Sequence, residues 1–266
     1  MNKKVSYVIA FVISTLLIIN SFKPSSALRQ QSVSPTSPVQ AFVLIGQSNM
    51  VGHSTIPTVQ QASNNAFNWD NGKWVVALAP LFLTGEYSPA NQFLISLVSV
   101  GILNVGTIPC AKDSSTVQEW QKGEPLYEDC LFMIKQAILS GAEINGILVS
   151  QGEANTSSKE LADSWIPLWE NSLYNLMTDY GDLEHSTGVI FAQLGYDPLT
   201  TRNTHWQYLH DIQTKILLNN PTFKMIVTDD LGKKPDNIHF TTTSNKIIGQ
   251  RFASAWCNII SYQQKK

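Results

Sequence analysis

Cysteine, clustered histidine and runs of like charge are what this chain has least of. It contains three cysteines in 266 residues, none in a Cys-x-x-Cys pair. Its five histidines fall without metal-ligand spacing, so no metal site and no cofactor is expected. Basic and acidic residues nearly balance, at 18 against 20, and no long basic run occurs, which removes the electrostatic grip that nucleic-acid binding needs. The longest apolar run, residues 5–19, is shorter than the ~20 residues that span a bilayer. Three thiols allow at most one internal bridge. Cys110, at the end of a predicted buried strand, and Cys130, on the apolar face of a predicted helix, read as small buried hydrophobes. Cys257 falls near the carboxyl end of the last predicted helix.

What is present suffices for one core. Hydrophobic residues make up 43% of the chain, and a single domain over residues 40–262 is expected. Ahead of it, Lys3 and Lys4 precede the apolar run, and Ser25-Ser26-Ala27 supplies the small residues that a signal peptidase reads. Residues 1–27 therefore read as a signal peptide cleaved after Ala27, with export to the periplasm or the exterior and no stable membrane anchoring afterwards. Residues 28–39, rich in Ser, Gln and Pro, read as a flexible lead-in.

Short apolar runs alternate with helical patterns along the rest. Strands are expected at residues 41–45, 103–108, 144–150, 188–194 and 224–228. Helices are expected at 89–100, 125–140, 159–180, 201–218 and 244–256, the last capped by Thr243 or Ser244. Residues 55–85 show little periodicity and read as a long ordered loop anchored by Phe67, Trp69 and Trp74. Strands alternating with helices give an α/β fold, a three-layer α/β/α sandwich with a five-stranded parallel sheet.

The run at 41–45, rich in β-branched and aromatic residues and closed by Gly46, fits a strand buried on both faces. Ser48 then lies past its carboxyl end, where open α/β sheets bind ligands. A serine there becomes a nucleophile if a base takes its proton. Asp236 and His239, three residues apart, could form a carboxylate-oriented base, in the chain order Ser, Asp, His that triad geometry permits. Asp229 and Asp230 could orient a base less locally. His205 and His210 read as surface or packing residues, because Asp211 neighbours His210 and adjacent helical residues do not face each other. His53 is set aside as too close to Ser48 to reach back from the helix expected after it.

Gly46-Gln47-Ser48-Asn49-Met50, Gln151-Gly152-Glu153 and Asp236-x-x-His239 occur in the order of the signature blocks of the SGNH hydrolases, which this chain resembles. Most closely it is similar to the branch containing carbohydrate esterase family six and the sialate O-acetylesterases. The resemblance implies a flavodoxin-like SGNH fold and a secreted serine esterase acting on O-acetyl esters of a small-molecule or glycan substrate, without nucleic-acid partners. Carried over residue by residue, it makes Ser48, Asp236 and His239 catalytic. Ser48 N–H, a backbone N–H at Ser114 and the Gln151 side chain form the oxyanion hole, and Gln47, Asn49, Asp113 and Glu153 are binding candidates. The chain departs from the pattern at Asp113-Ser114, where the family usually carries two glycines. An N–H survives any residue but proline, while positive φ is less freely adopted. Glu153 could be a second catalytic carboxylate, but an orienting role in its loop is the favoured reading. Two rival readings remain: a lipase or thioesterase on longer acyl chains, and a catalytically weakened secreted carbohydrate-binding protein.

Overall fold

In the computed structural model, residues 32–35, 37–56, 63–196, 205–218 and 220–263 are described. The signal-peptide reading lies outside them. Among the described residues one sheet of seven strands has the order β3-β2-β4-β1-β5-β6-β7. Its members are β1 (Gln40–Gly46), β2 (Ala66–Asp70), β3 (Lys73–Val76), β4 (Val105–Pro109), β5 (Glu143–Ser150), β6 (Val189–Ala192) and β7 (Phe223–Ile226). All neighbouring pairs are parallel except β2 with β3.

The central position of β1 follows from its sequence, because both of its faces are apolar. Ala41, Val43 and Ile45 enter one buried cluster, and Phe42 and Leu44 enter the other. On the first face lie α3 (Pro125–Leu139), α4 (Lys159–Tyr180) and α5 (Trp206–Gln213), through Ile134, Trp165, Trp169 and Leu209. The second face is covered by α1 (Ser48–Val51), α2 (Pro89–Ser99) and α6 (Thr242–Gln263), through Met50, Phe93, Phe252 and Trp256. Phe42 meets Phe93 and Trp256 edge-on at 4.7 and 5.0 Å between ring centroids, the offset that aromatic quadrupoles favour. A Cβ at Gly249 would sit 2.3 Å from the Pro89 carbonyl oxygen, so α6 approaches α2 as closely as it does only because that side chain is absent.

The three-layer α/β/α architecture is as expected, with corrections in detail. Residues 55–85 are not one loop: β2 joins the parallel sheet beside β4, and β3 folds back on it as an antiparallel edge. The hairpin turns on Asn71-Gly72, both at positive φ (47° and 78°). This Asn-Gly pair is the strongest short-range hairpin signal a sequence carries. Trp69 and Trp74, read as loop anchors, are cross-strand partners 5.0 Å apart. The closing helix begins earlier than expected, at Thr242, and its cap is Thr241, whose Oγ1 accepts the Ser244 N–H, rather than Thr243 or Ser244. Helix α5 is shorter than the 201–218 reading and continues as a 3-10 turn over Thr214–Leu217, while residues 201–204 lie outside the described ones. The flexible lead-in is docked where it is described: Val33 N–H donates to Trp74 O at 3.0 Å, and Ser32 bridges to Val75.

Cys110 and Cys130 are not free hydrophobes but a disulfide, with 5.3 Å between their Cα atoms. Both fill apolar sites as expected; what the pattern did not convey is that strand exit and helix face bring the two thiols together. Closing a loop of 20 residues removes chain entropy worth about 3 kcal/mol. Reduction should therefore lower the unfolding free energy by about that much and shift the urea or guanidinium midpoint down, which denaturation curves with and without a thiol reductant will measure.

Candidate active site

Strand β1 ends at Gly46, with φ of 130°, where a Cβ would lie 2.0 Å from the Ser150 carbonyl oxygen. Only glycine lets β1 leave the sheet this close to β5. Gln47 N–H then bonds Ser150 O at 2.9 Å, and Ser48 opens α1, a helix of four residues. Its N–H, in the first turn, has no acceptor among the described residues, as helix geometry requires.

The residue facing Ser48 arrives from the far end of the chain. His239 Nε2 lies 3.0 Å from Ser48 Oγ, and His239 Nδ1 lies 2.9 Å from Asp236 Oδ2. Asp236 Oδ1 accepts the N–H groups of Ile238 and His239, each at 2.9 Å. Burial pushes the Asp236 carboxyl up, but the bonds from the His239 ring and from the two backbone N–H groups outweigh it and hold the group down at about 2. Asp236 is thus ionised at neutral pH and can only accept, so the proton on the neutral ring sits at Nδ1 and Nε2 faces Ser48 as the acceptor.

Asn49 fastens this loop beside Ser48. Its Nδ2 donates to Ile238 O at 3.1 Å and to Glu153 Oε1, while its Oδ1 accepts Phe240 N–H at 3.2 Å. The binding role expected of Asn49 and Glu153 is corrected accordingly. Both Asn49 amide protons are committed within the protein, and Glu153 is 7% exposed, with Oε2 buried and unpartnered among the described residues. Glu153 Oε1 holds the Asn49 amide in place.

The oxyanion side divides. The loop after β4 is fixed against β1 by Lys112 N–H on Gly46 O at 3.0 Å and by Ser115 Oγ on the same oxygen at 3.2 Å. Ser114 adopts the left-handed conformation, φ 60°, and its N–H has no acceptor among the described residues. Gln151, expected to donate to the oxyanion, does not offer a free N–H. Its Oε1 accepts from the indole N–H groups of Trp165 and Trp169 at 2.7 and 3.1 Å. Indoles only donate, so the amide orientation is settled, and Nε2 gives its protons to Asn155 Oδ1 at 2.6 Å and Ser115 O at 3.0 Å. Gln151 is a buttress under the Ser114 loop. Gln47 Oε1 accepts Ala154 N–H at 3.1 Å, and its Nε2 has no acceptor among the described residues.

Sequence reasoning missed His53. Because α1 ends after one turn at Gly52, φ 90°, the chain doubles back at once. The His53 ring lies 4.8 Å from that of His239, with Nε2 2.8 Å from Asp113 Oδ1. The brevity of α1 was not readable, although Gly52 is a stop signal. His210 is a satisfied, half-buried ring, but its neighbour does meet it: the ring lies between Asp211 and Asp229, at 2.9 and 3.0 Å. Asp229 is thereby spent there, and Asp230 on Arg251, leaving Asp236 as the orienter of His239. Among the described residues no group of three or more His, Cys, Asp or Glu could hold a metal ion.

Ser48, His239 and Asp236 thus stand in hydrogen-bonded series past the carboxyl edge of a parallel sheet. A family model described as carbohydrate esterase, sialic acid-specific acetylesterase matches residues 38–258, and the chain belongs to this family of carboxylic ester hydrolases. A probable carbohydrate esterase of Arabidopsis thaliana is 24% identical over 250 residues, covering 84% of this chain and 92% of the relative. An X-ray structure of an Arabidopsis protein superimposes with a TM-score of 0.73 at 22% identity, over 83% of this chain and 98% of that one. The structure of NanS follows at 0.66 and 13% identity, over 87% and 100%. These likenesses speak for the fold.

Asn49→Ala would leave Glu153 Oε1 and Ile238 O without their donor. Stranding these two acceptors, one of them a buried carboxylate, costs about 2–4 kcal/mol. Thermal unfolding of the variant should come several degrees lower, and esterase activity should fall with it.

Proposed function

We propose that this protein hydrolyses O-acetyl esters of carbohydrates. The observation that carries the reading is the unbroken series Ser48 Oγ, His239 ring and Asp236 carboxylate, at 3.0 and 2.9 Å. In the acylation step Ser48 Oγ attacks the acetyl carbonyl carbon while His239 Nε2 takes its proton, and Asp236 stabilises the resulting imidazolium. The carbonyl oxygen, now an oxyanion, is held by the N–H groups of Ser48 and Ser114, with the Gln47 amide Nε2 as the side-chain donor. Collapse breaks the bond to the sugar oxygen, which leaves with the His239 proton and frees the sugar hydroxyl. Water, deprotonated by His239, then attacks the acetyl-Ser48 ester and releases acetate, restoring the serine.

The family description supports the acetyl group and the carbohydrate. The purified protein should release acetate from O-acetylated sialic acid or acetylated polysaccharide and 4-nitrophenol from its acetate ester, with turnover falling as the acyl chain lengthens beyond about butyryl. Ser48→Ala and His239→Ala should each lower kcat by roughly 10⁴-fold or more. Undiminished hydrolysis by Ser48→Ala would refute the mechanism, and a preference for long acyl chains would refute the acetyl assignment.

The reading includes export. Residues 1–27 carry the signal-peptide pattern, and no helix among the described residues is long and apolar enough to cross a membrane. The secreted or periplasmic form should begin at Leu28, which amino-terminal sequencing will test; a mature protein that keeps Met1 contradicts it.

A further inference from the structure

Three side-chain and backbone contacts meet at His53, a residue the proposed chemistry does not use. Its Nε2 faces Asp113 Oδ1 at 2.8 Å. The face of its ring lies against His239, with centroids 4.8 Å apart and planes 34° from parallel. Its carbonyl oxygen accepts Lys234 Nζ at 2.6 Å, and the backbone N–H of the same lysine donates to His239 O at 2.7 Å. His53 therefore touches both loops that close around Ser48, the one carrying Ser114 and the one carrying His239.

We propose that His53 is a positioning residue for the ester hydrolysis argued above, on which this inference rests: it holds the Ser114 loop and the His239 ring in fixed relation across Ser48. The Ser114 N–H belongs to the peptide bond joining Asp113 to Ser114, so its direction is set by the backbone angles of those two residues. Ser114 already sits at φ 60°, a conformation that L-residues other than Asn and Asp hold reluctantly. A tether on the Asp113 side chain keeps that peptide from rotating. On its other side, the His53 ring lies against the His239 ring. Because a carboxylate only accepts, the neutral His53 ring carries its proton on Nε2.

The bland alternative is a solvated surface pair. The side chains of His53 and Asp113 are 32% and 33% exposed, so their attraction contributes little to stability. That same exposure makes the test clean, because removing the pair should leave the fold standing.

Steady-state hydrolysis of 4-nitrophenyl acetate should be compared for the unmodified protein, His53→Ala, His53→Gln, Asp113→Ala and the double alanine variant, with Ser48→Ala as the zero. Misplacing a transition-state donor lowers kcat more than it changes KM. For His53→Ala we expect kcat to fall by about tenfold or more, with KM within about twofold and the unfolding temperature nearly unchanged. His53→Gln, whose amide can still donate to Asp113, should recover part of the loss. The double variant should be no slower than the worse single one, since the two residues act as a unit. A His53→Ala kcat within about twofold of the unmodified value, or losses that simply multiply in the double variant, would overturn this inference alone. If the unmodified protein shows no Ser48-dependent turnover, the functional reading itself fails and takes this one with it.

Discussion

The contact between Ser48 Oγ and His239 Nε2 joins residues 191 positions apart, and one amide side chain next to the serine holds them there. Asn49 brackets His239 by bonding the residue before it, through Ile238 O, and the residue after it, through Phe240 N–H. A loop tied only by its own chain ends would leave the imidazole free over several ångströms. The clamp converts a distant sequence relation into a local one. Glu153, from the loop after β5, fixes the clamp in turn, so three strand exits are locked to one another before any substrate arrives. Preorganisation of this kind spares the chemical step a reorganisation cost.

Gln151 shows how the same logic is carried beneath the surface. A primary amide is chemically apt as an oxyanion donor, yet two tryptophan indoles dictate which end of this one is oxygen, and its protons are drawn down into the Ser115 carbonyl and Asn155. Asn155 is satisfied in its turn by Val117 N–H and by the Leu161 carbonyl. A buried polar network in which each member is paired specifies one arrangement and resists others. What sits on it is the loop that presents Ser114, so Gln151 acts on that loop from below rather than on a substrate from above.

The layered fold was legible because its signals are periodic and local. Helix α4, for example, has the residues expected of it, 159–180, with an apolar stripe, Ser158 as amino-terminal cap and Gly181 as the left-handed stop. The Asp236 and His239 pair was legible because a three-residue spacing needs only one turn of loop. The hairpin at β2 and β3 was not, because its aromatic strands alternate weakly and the Asn71-Gly72 turn was read as loop composition. The disulfide and the His53 contact depend on which loops meet in space, and nothing in the spacing of Cys110 to Cys130 or of Ser48 to His53 encodes that meeting. Gln151 was misassigned for a related reason: its neighbours Trp165 and Trp169 come from the following helix, and only packing reveals which end of the amide they face.

Ser114 brings these strands of argument together. A non-glycine residue at φ 60° costs roughly 1 kcal/mol or more and persists only where its surroundings over-determine it. The surroundings here do so from several directions. Ser115 bonds Gly46 O and Lys112 O and receives the Trp120 indole N–H. Gln151 holds the Ser115 carbonyl, the disulfide pins Cys110 to α3, and Asp113 is tied to His53. Each of these ties leaves the Ser114 N–H itself without an acceptor among the described residues. Restraint concentrated on a loop whose one strained residue keeps an unspent donor is what electrostatic preorganisation requires. On that ground Asp113 and Ser114, without a glycine's freedom, still present an N–H that has no acceptor among the described residues.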